Sequence, residues 1–210
     1  MTSSILIEAQ YFPNLEYFFN ILEHDIVYIE ACESFQKQSY RNRCHILSAN
    51  KVDILSIPVI NPGRDVLIKE VKIDYRQKWM NVHWGAIRSA YGKAPFFEYY
   101  ADFFHDIYLK KHTYLFDLNL EVMTVCLKLL GIDKKIELTT FFDKNPGLEI
   151  ADFRSVIHPK KVNNSYIITW VSYPQLFGRY FVPNLSILDL LFCEGNNSIR
   201  VLRASKKQGL

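Results

Sequence analysis

Between Glu33 and His45 the chain packs hydrogen-bonding and cationic side chains unusually densely: Glu33-Ser34-Phe35-Gln36-Lys37-Gln38-Ser39-Tyr40-Arg41-Asn42-Arg43-Cys44-His45. A connecting loop ordinarily carries glycine or proline to turn the chain, and this stretch has neither. Lys37, Arg41 and Arg43 are residue types that clamp a phosphate or carboxylate, the two arginines through planar donor forks. Tyr40, Asn42 and Gln38 would orient such a ligand. The competing reading is a structural network that bridges loops. A dense polar stretch between two apolar runs favours the ligand site. Glu30 and Glu33 are carboxylates able to act as general bases, although ion pairing with the nearby arginines is the commoner fate of such residues.

Two histidines are candidates for proton transfer near neutral pH. His83 precedes Trp84 in a helical stretch, where a hydrogen-bonded structural histidine fits equally well. His158 ends the run Asp152-Phe153-Arg154-Ser155-Val156-Ile157-His158 and is followed by Pro159, Lys160 and Lys161. Asp152 and Arg154 could supply a second wall of an anion site, or the run could be a solvated loop. The aromatics from Phe96 to Tyr108 read as core at helical spacing, with a stacking platform for a base as the lesser reading. Asp117 and Asn119 are expected to cap a helix. The sequence has no HExxH, P-loop, GxGxxG or GxSxG pattern, so no metal is expected, and no residue type names a cofactor. A nucleotide would be held by side chains or a helix N-terminus.

The elements that must position these groups follow from the apolar patterning. Ser4 to Tyr11 has the profile of a buried strand. Pro13 and Asn14 open a helix that carries Leu15, Phe18, Phe19, Ile21 and Leu22. Asp25 to Ala31 is a second strand. A strand–helix–strand opening favours parallel pairing with a right-handed crossover, and ligands of such units bind beyond the carboxyl ends of the strands. Those ends, Gln10 to Asn14 with Tyr11 among them and Glu30 to Ser34, adjoin the cationic stretch. Arg43 to Ser48 and Val52 to Ile60 form a hairpin, and Leu67 to Ile73 an edge strand or connection. Helices are expected over Lys78–Ala90, Pro95–Leu109 and Tyr114–Leu130, the last closed by Gly131. Strands follow at Lys135–Thr140 and 162–171. A final helix, Pro183–Phe192, places Ser186 and Asp189 on its polar side. Arg200 to Lys207 reads as a frayed tail. The fold class is therefore α/β: an N-terminal strand–helix–strand unit with a mixed sheet, a central helical segment, and C-terminal strands and a helix.

Composition narrows the function. The 210 residues are 49% hydrophobic and 15% aromatic, enough for one packed domain. No apolar run reaches the roughly 18 residues a membrane-spanning helix needs, and the start, with Glu8 interrupting its apolar run, does not read as a signal peptide. A cytoplasmic protein without membrane insertion is expected. Cys32, Cys44, Cys126 and Cys193 form no CxxC pair and read as buried thiols. A net charge of +3 is too mild for a nucleic-acid binder.

Several stretches carry a resemblance. They are Tyr11-Phe12-Pro13-Asn14-Leu15-Glu16-Tyr17-Phe18, Gln36 to Cys44, Ile57-Pro58-Val59, Val71-Lys72-Ile73-Asp74-Tyr75, His83-Trp84 with Ile87 and Ala90-Tyr91-Gly92, Pro95-Phe96-Phe97-Glu98-Tyr99-Tyr100, Ile157 to Lys161, and Pro183 to Leu191. In this order, over nearly the whole chain, they resemble the WbqC-like family, in the version common in Bacteroidetes-type bacteria. Many members begin with a Gln-Pro-Asn pattern, for which this chain has Glu8-Ala9-Gln10. The resemblance implies one WbqC-like domain over 1–210, with an α/β part to residue 75, a helical part over 76–132 and C-terminal strands and a helix over 133–210. It also implies a place in O-antigen or other surface-polysaccharide biosynthesis, as a transferase or ligase acting on an activated amino sugar or similar metabolite.

Residues and resemblance together point to a transferase acting on an anionic activated metabolite: a nucleotide sugar, amino sugar or aminoacyl donor. Lys37, Arg41 and Arg43 would hold the anion, with Gln38, Asn42, Tyr11, Asp152 and Arg154 around it, and His83, His158 or Tyr40 would move protons. The alternative is a non-catalytic binding module for the same kind of small molecule.

Overall fold

The computed structural model describes residues 3–63, 65–160 and 166–209. Its frame is a parallel sheet. β1 (Ser4–Glu8) and β2 (Ile26–Glu30) pair side by side, in register from Ser4 opposite Ile26 to Glu8 opposite Glu30. The helix between them, α1 (Leu15–Leu22), makes this the expected crossover unit. Asn14 caps α1: its side chain accepts from the Tyr17 amide at 3.1 Å, satisfying one of the unpaired donors of the first turn. One sheet face carries Ile5, Ile7, Val27 and Ile29, all fully buried; the other carries Leu6, Glu8, Tyr28 and Glu30, as the two-residue alternation of strands requires.

The rest of the chain completes the sheet and encloses the core. β3 (Arg43–Leu47) and β4 (Val52–Ser56) form the expected antiparallel hairpin. Leu67–Ile73 is a connection with a short 3₁₀ turn at Ile68–Glu70. The central helices are α2 (Trp79–Tyr91), α3 (Phe97–Leu109) and α4 (Leu115–Leu130). Gly131 ends α4 in the left-handed conformation, φ 65°, which lets its amide reach back to the last-turn carbonyls. β5 (Lys135–Leu138) and β6 (Ile150–Asp152) then join the outer edges of the first two strands, giving the order β5-β2-β1-β6, all parallel. After β7 (Tyr166–Thr169) come α5 (Ile187–Glu194), α6 (Ser198–Ala204) and β8 (Lys206–Gly209), the last paired antiparallel with β7.

The structure corrects four expectations. The supposed frayed tail is α6 plus β8: Val201 and Leu202 are buried, and Lys207 reaches the Asn20 side chain at 3.1 Å and lies over the Tyr166 ring at 4.0 Å. Asp189 is not on a polar face but fully buried, its carboxylate accepting from Tyr173 at 2.7 Å and Gln175 at 2.8 Å. Ser186 does cap α5, yet from a buried position. Asp117 and Asn119 lie inside α4, whose first turn has no side-chain cap. Of the strand expected over 162–171, the first half with Asn163 and Asn164 lies outside the described residues.

Asn119 has a task the sequence did not announce. Fully buried, it donates through Nδ2 to the Arg41 carbonyl at 2.7 Å and the Ala9 carbonyl at 3.4 Å, tying α4 to the two segments that leave the sheet. Asn119→Ala leaves both acceptors without this donor and is expected to lower unfolding free energy by about 2 kcal/mol, measured as a shift of the urea midpoint at unchanged slope.

Candidate functional site

Four strands end at one edge, and each brings a polar group. Glu8 ends β1 and Glu30 ends β2; Thr139 follows β5, and Asp152 ends β6. Each glutamate closes an apolar strand on the face opposite the core, so strand alternation aims both the same way. Glu8 is 1% exposed and Glu30 0%, so the cost of their burial must be met by partners.

Two arginines meet it. Arg41, 1% exposed, forks onto Glu33 through Nε at 2.7 Å and Nη2 at 2.5 Å, gives Nη2 to the Ser155 hydroxyl at 3.1 Å, and stands 3.8 Å from Glu8. Arg154 forks onto Asp152 at 2.9 and 2.7 Å and reaches Glu30 through Nη1 at 2.9 Å. Backbone, side-chain amide and hydroxyl donors complete the shells: Ser155 N–H and the Gln10 side-chain Nε2 to Glu8, Cys32 N–H and the Thr139 hydroxyl to Glu30. Ser155 takes a left-handed conformation, φ 59°, as it turns its amide onto Glu8.

A cleft of about 640 Å³ opens beside this cluster. Among the described residues its charged lining is Glu33, Asp65, Asp152 and Arg154, with the half-buried thiol of Cys32 beside them and Phe142 packed over the Arg154 guanidinium at 4.6 Å. Among the described lining residues three carboxylates stand against one cation. Arg154 is bound to Asp152 and Glu30, and Glu33 is forked by Arg41, so the lining offers a ligand the Asp65 carboxylate and the remaining acceptor capacity of the other two, toward ammonium or hydroxyl groups. Burial raises the Glu33 carboxyl above the ordinary range, and neighbouring Glu8 and Glu30 push it further, against the opposing hydrogen bond from Arg41. A carboxyl so placed, at the wall of a cleft, can take and return a proton.

The residues singled out from the sequence lie in different surroundings. Arg41 is in the cluster, bound to carboxylates of its own chain. Lys37 and Gln38 are exposed, and Gln38 accepts from the Lys160 ammonium. Arg43 lies on β3, half-buried, with no partner for its Nε among the described residues. Asn42 donates to the Ile57 carbonyl at 3.0 Å. Tyr40 packs edge-on against His45, and burial pushes its phenol up to about 12. Asp152 and Arg154 belong to the cleft. His158 accepts the Lys160 amide at 3.1 Å. Tyr11 and His83 sit together elsewhere: the Tyr11 hydroxyl is 2.9 Å from His83 Nδ1 and 2.5 Å from the Tyr108 hydroxyl, all buried. The candidate proton carriers Tyr40, His83 and His158 thus do not line the cleft. The pairing of Glu30 and Glu33 with arginines, the commoner of the two fates open to them, is what the geometry shows.

The sequence reading missed Asp65, Ser155, Thr139 and Phe142. A charged residue ending an apolar strand, as Glu8 and Glu30 do, was the available signal for the cluster. The family model described as the WbqC-like protein family matches residues 8–151 and 158–201. The chain belongs to the WbqC-like protein family. Its matched part begins at Glu8 and covers Glu30, Glu33, Arg41 and Asp65, while Asp152, Arg154 and Ser155 fall between the two matched segments. This WbqC-like chain is also similar to an uncharacterised protein of Mycobacterium tuberculosis, Rv1507c, at 28% identity over 229 aligned positions, covering 97% of this chain and 98% of that protein. No solved structure matches the chain.

Proposed function

We propose that this WbqC-like protein is a cytoplasmic transferase or ligase of surface-polysaccharide or related biosynthesis. It takes the amino-sugar or aminoacyl part of an activated metabolite in the cleft at the carboxyl ends of the parallel sheet. The observation that carries the reading is Glu33: a carboxyl held above its ordinary range, forked by Arg41 and lining a cleft whose other acids can receive ammonium or hydroxyl groups. Asp65 and Asp152 accept hydrogen bonds from the sugar or amine, and Glu33 removes the proton from the attacking nitrogen or oxygen. Family membership supports the pathway class; the acidic lining supports the amine- or hydroxyl-bearing end as the part bound here.

The test uses UDP-linked and free amino sugars as probes, read by thermal stability and by product formation. Asp65 is exposed at φ 65°, a conformation that asparagine tolerates well. Asp65→Asn is therefore expected to leave folding intact and weaken the stabilising probe about tenfold, the loss of one charge-assisted hydrogen bond. Glu33→Gln is expected to keep binding and lose turnover by 10²–10⁴-fold, the usual worth of a positioned base, stated as an order-of-magnitude range. Turnover unchanged in Glu33→Gln would overturn the base assignment. Stabilisation without product from any probe would favour a non-catalytic binding module, a reading that the scatter of Tyr40, His83 and His158 also supports.

A further inference from the structure

A pair of clefts flanks the start of α2, away from the acidic cluster. One, about 360 Å³, has walls of Tyr75, Trp84, His105 and Tyr108. The other, about 310 Å³, runs between Trp79, His83 and the β4 residues Ile54 and Leu55. Gln77 and Lys78 line both, so the two clefts adjoin at the first turn of α2 and together make a depression there.

Their charge is opposite to that of the acidic cleft. Lys78 and Lys111 line the depression, and no carboxylate among the described residues does. Two acids of the neighbouring segments are occupied: Asp74 is forked by Arg76, with the closest contact 2.6 Å, and Glu121 is bound by Lys110 and His112. Three further features suit a ligand with an anionic and a planar part. The first turn of the 13-residue helix α2 has no side-chain cap among the described residues, so its amide donors and positive dipole end lie uncapped next to Gln77 and Lys78, which line both clefts. The Trp79 indole N–H, on the wall of the smaller cleft, is buried with no acceptor among the described residues. Trp84, half-buried, is held between His105 at 4.7 Å and Phe97 at 6.2 Å between ring centroids, and what remains accessible of its rigid ring lines the larger cleft, where another ring can pack.

We propose that this depression is a second binding site, for a planar ring carrying a phosphate, such as a nucleoside monophosphate. Lys78, Lys111 and the open first turn of α2 hold the phosphate. The ring lies along Tyr75 and Trp84. The site stands independently of the reading of the acidic cleft.

Titration calorimetry of the whole chain at low salt tests it, with AMP, adenosine and inorganic pyrophosphate as probes. AMP is expected to bind, to quench tryptophan fluorescence, and to lose that quenching in Trp84→Phe. Adenosine, lacking the phosphate, is expected to bind about tenfold more weakly, and the exposed-lysine variant Lys78→Gln/Lys111→Gln to weaken AMP by about the same factor while leaving adenosine unchanged. Asp65→Asn, in the acidic cleft, is expected to leave AMP binding at wild-type strength. The proposal is overturned if AMP and adenosine bind alike, if the double lysine variant binds AMP as wild type does, if pyrophosphate binds as tightly as AMP, or if Asp65→Asn abolishes AMP binding.

Discussion

Replacing Arg41 with methionine is expected to lower unfolding free energy at pH 7.5 by 3–5 kcal/mol, roughly the cost of breaking a buried ion pair from one side. The reason lies in what remains. Glu33 and Glu8, both buried, would lose the guanidinium that Glu33 binds through two hydrogen bonds and that stands 3.8 Å from Glu8. Arg41→Met/Glu33→Gln is expected to recover more than half of the loss, because the double change removes both members of the closer pair. The pH dependence has a definite sign. The Glu33 carboxyl in the folded protein already lies above its unfolded value, so the folded state favours the protonated form. Stability from this group is full below the unfolded value and declines as pH rises through the folded one. Removing Arg41 raises the folded value further, so the penalty is felt at neutral pH and eases on acidification. Urea titrations at pH 7.5 and 4.5 measure both effects. A loss under 1 kcal/mol at pH 7.5, well below the expected range, would show that Arg41 is not the counter-charge holding the cluster together.

His83 is expected to account for about 3 kcal/mol of acid destabilisation between pH 6.5 and 4, at roughly 1.4 kcal/mol for each pH unit separating its unfolded and folded values. Burial pushes its imidazole down to about 4, against the opposing hydrogen bond to the Ser56 backbone. In the tautomer that carries the ring proton on Nε2, Nδ1 accepts the Tyr11 O–H, and Tyr11 in turn accepts from Tyr108. A second ring proton would meet a hydroxyl already pointing at Nδ1, so the chain of O–H bonds would have to reverse inside the core. The folded value lies below the unfolded one, so the contribution is fully present above pH 6.5 and is lost as pH falls through 4. His83→Gln should therefore unfold with a shallower acid limb than wild type, and the His83 ring carbon signal should titrate near 4 by NMR. A ring that titrates near 6.5 would refute the arrangement.

The contrast between Arg41 and His83 shows what is legible in the sequence. The β1–α1–β2 unit can be read because its signals are local: apolar runs, a cap at Asn14, a two-residue alternation. The polar stretch from Glu33 onward is equally visible as something organised. Its partners are not. Arg41 meets Glu33 eight positions earlier, but also Glu8 from β1 and Ser155 from beyond β6, and no spacing rule reports contacts that the topology creates. Tyr11 meets His83 and Tyr108 for the same reason. Asp189 misleads because a lone carboxylate in an apolar helix normally marks the wet side; here Tyr173 and Gln175, from the loop ahead of the helix, bring donors to it. The lysine- and arginine-rich end hides α6 because its buried residues, Val201 and Leu202, are few and its charges many.

The order β5-β2-β1-β6 has a consequence for synthesis on the ribosome. The two central strands emerge first, yet Ile26 finds its outer neighbour only at Lys135, and Ser4 only at Ile150. Until then the β1–β2 pair exposes unpaired backbone along both margins, the surface that invites pairing with a stranger. Glu8 and Glu30 end that pair side by side, and the arginines that meet them in the folded protein, Arg41 and Arg154, are both made later.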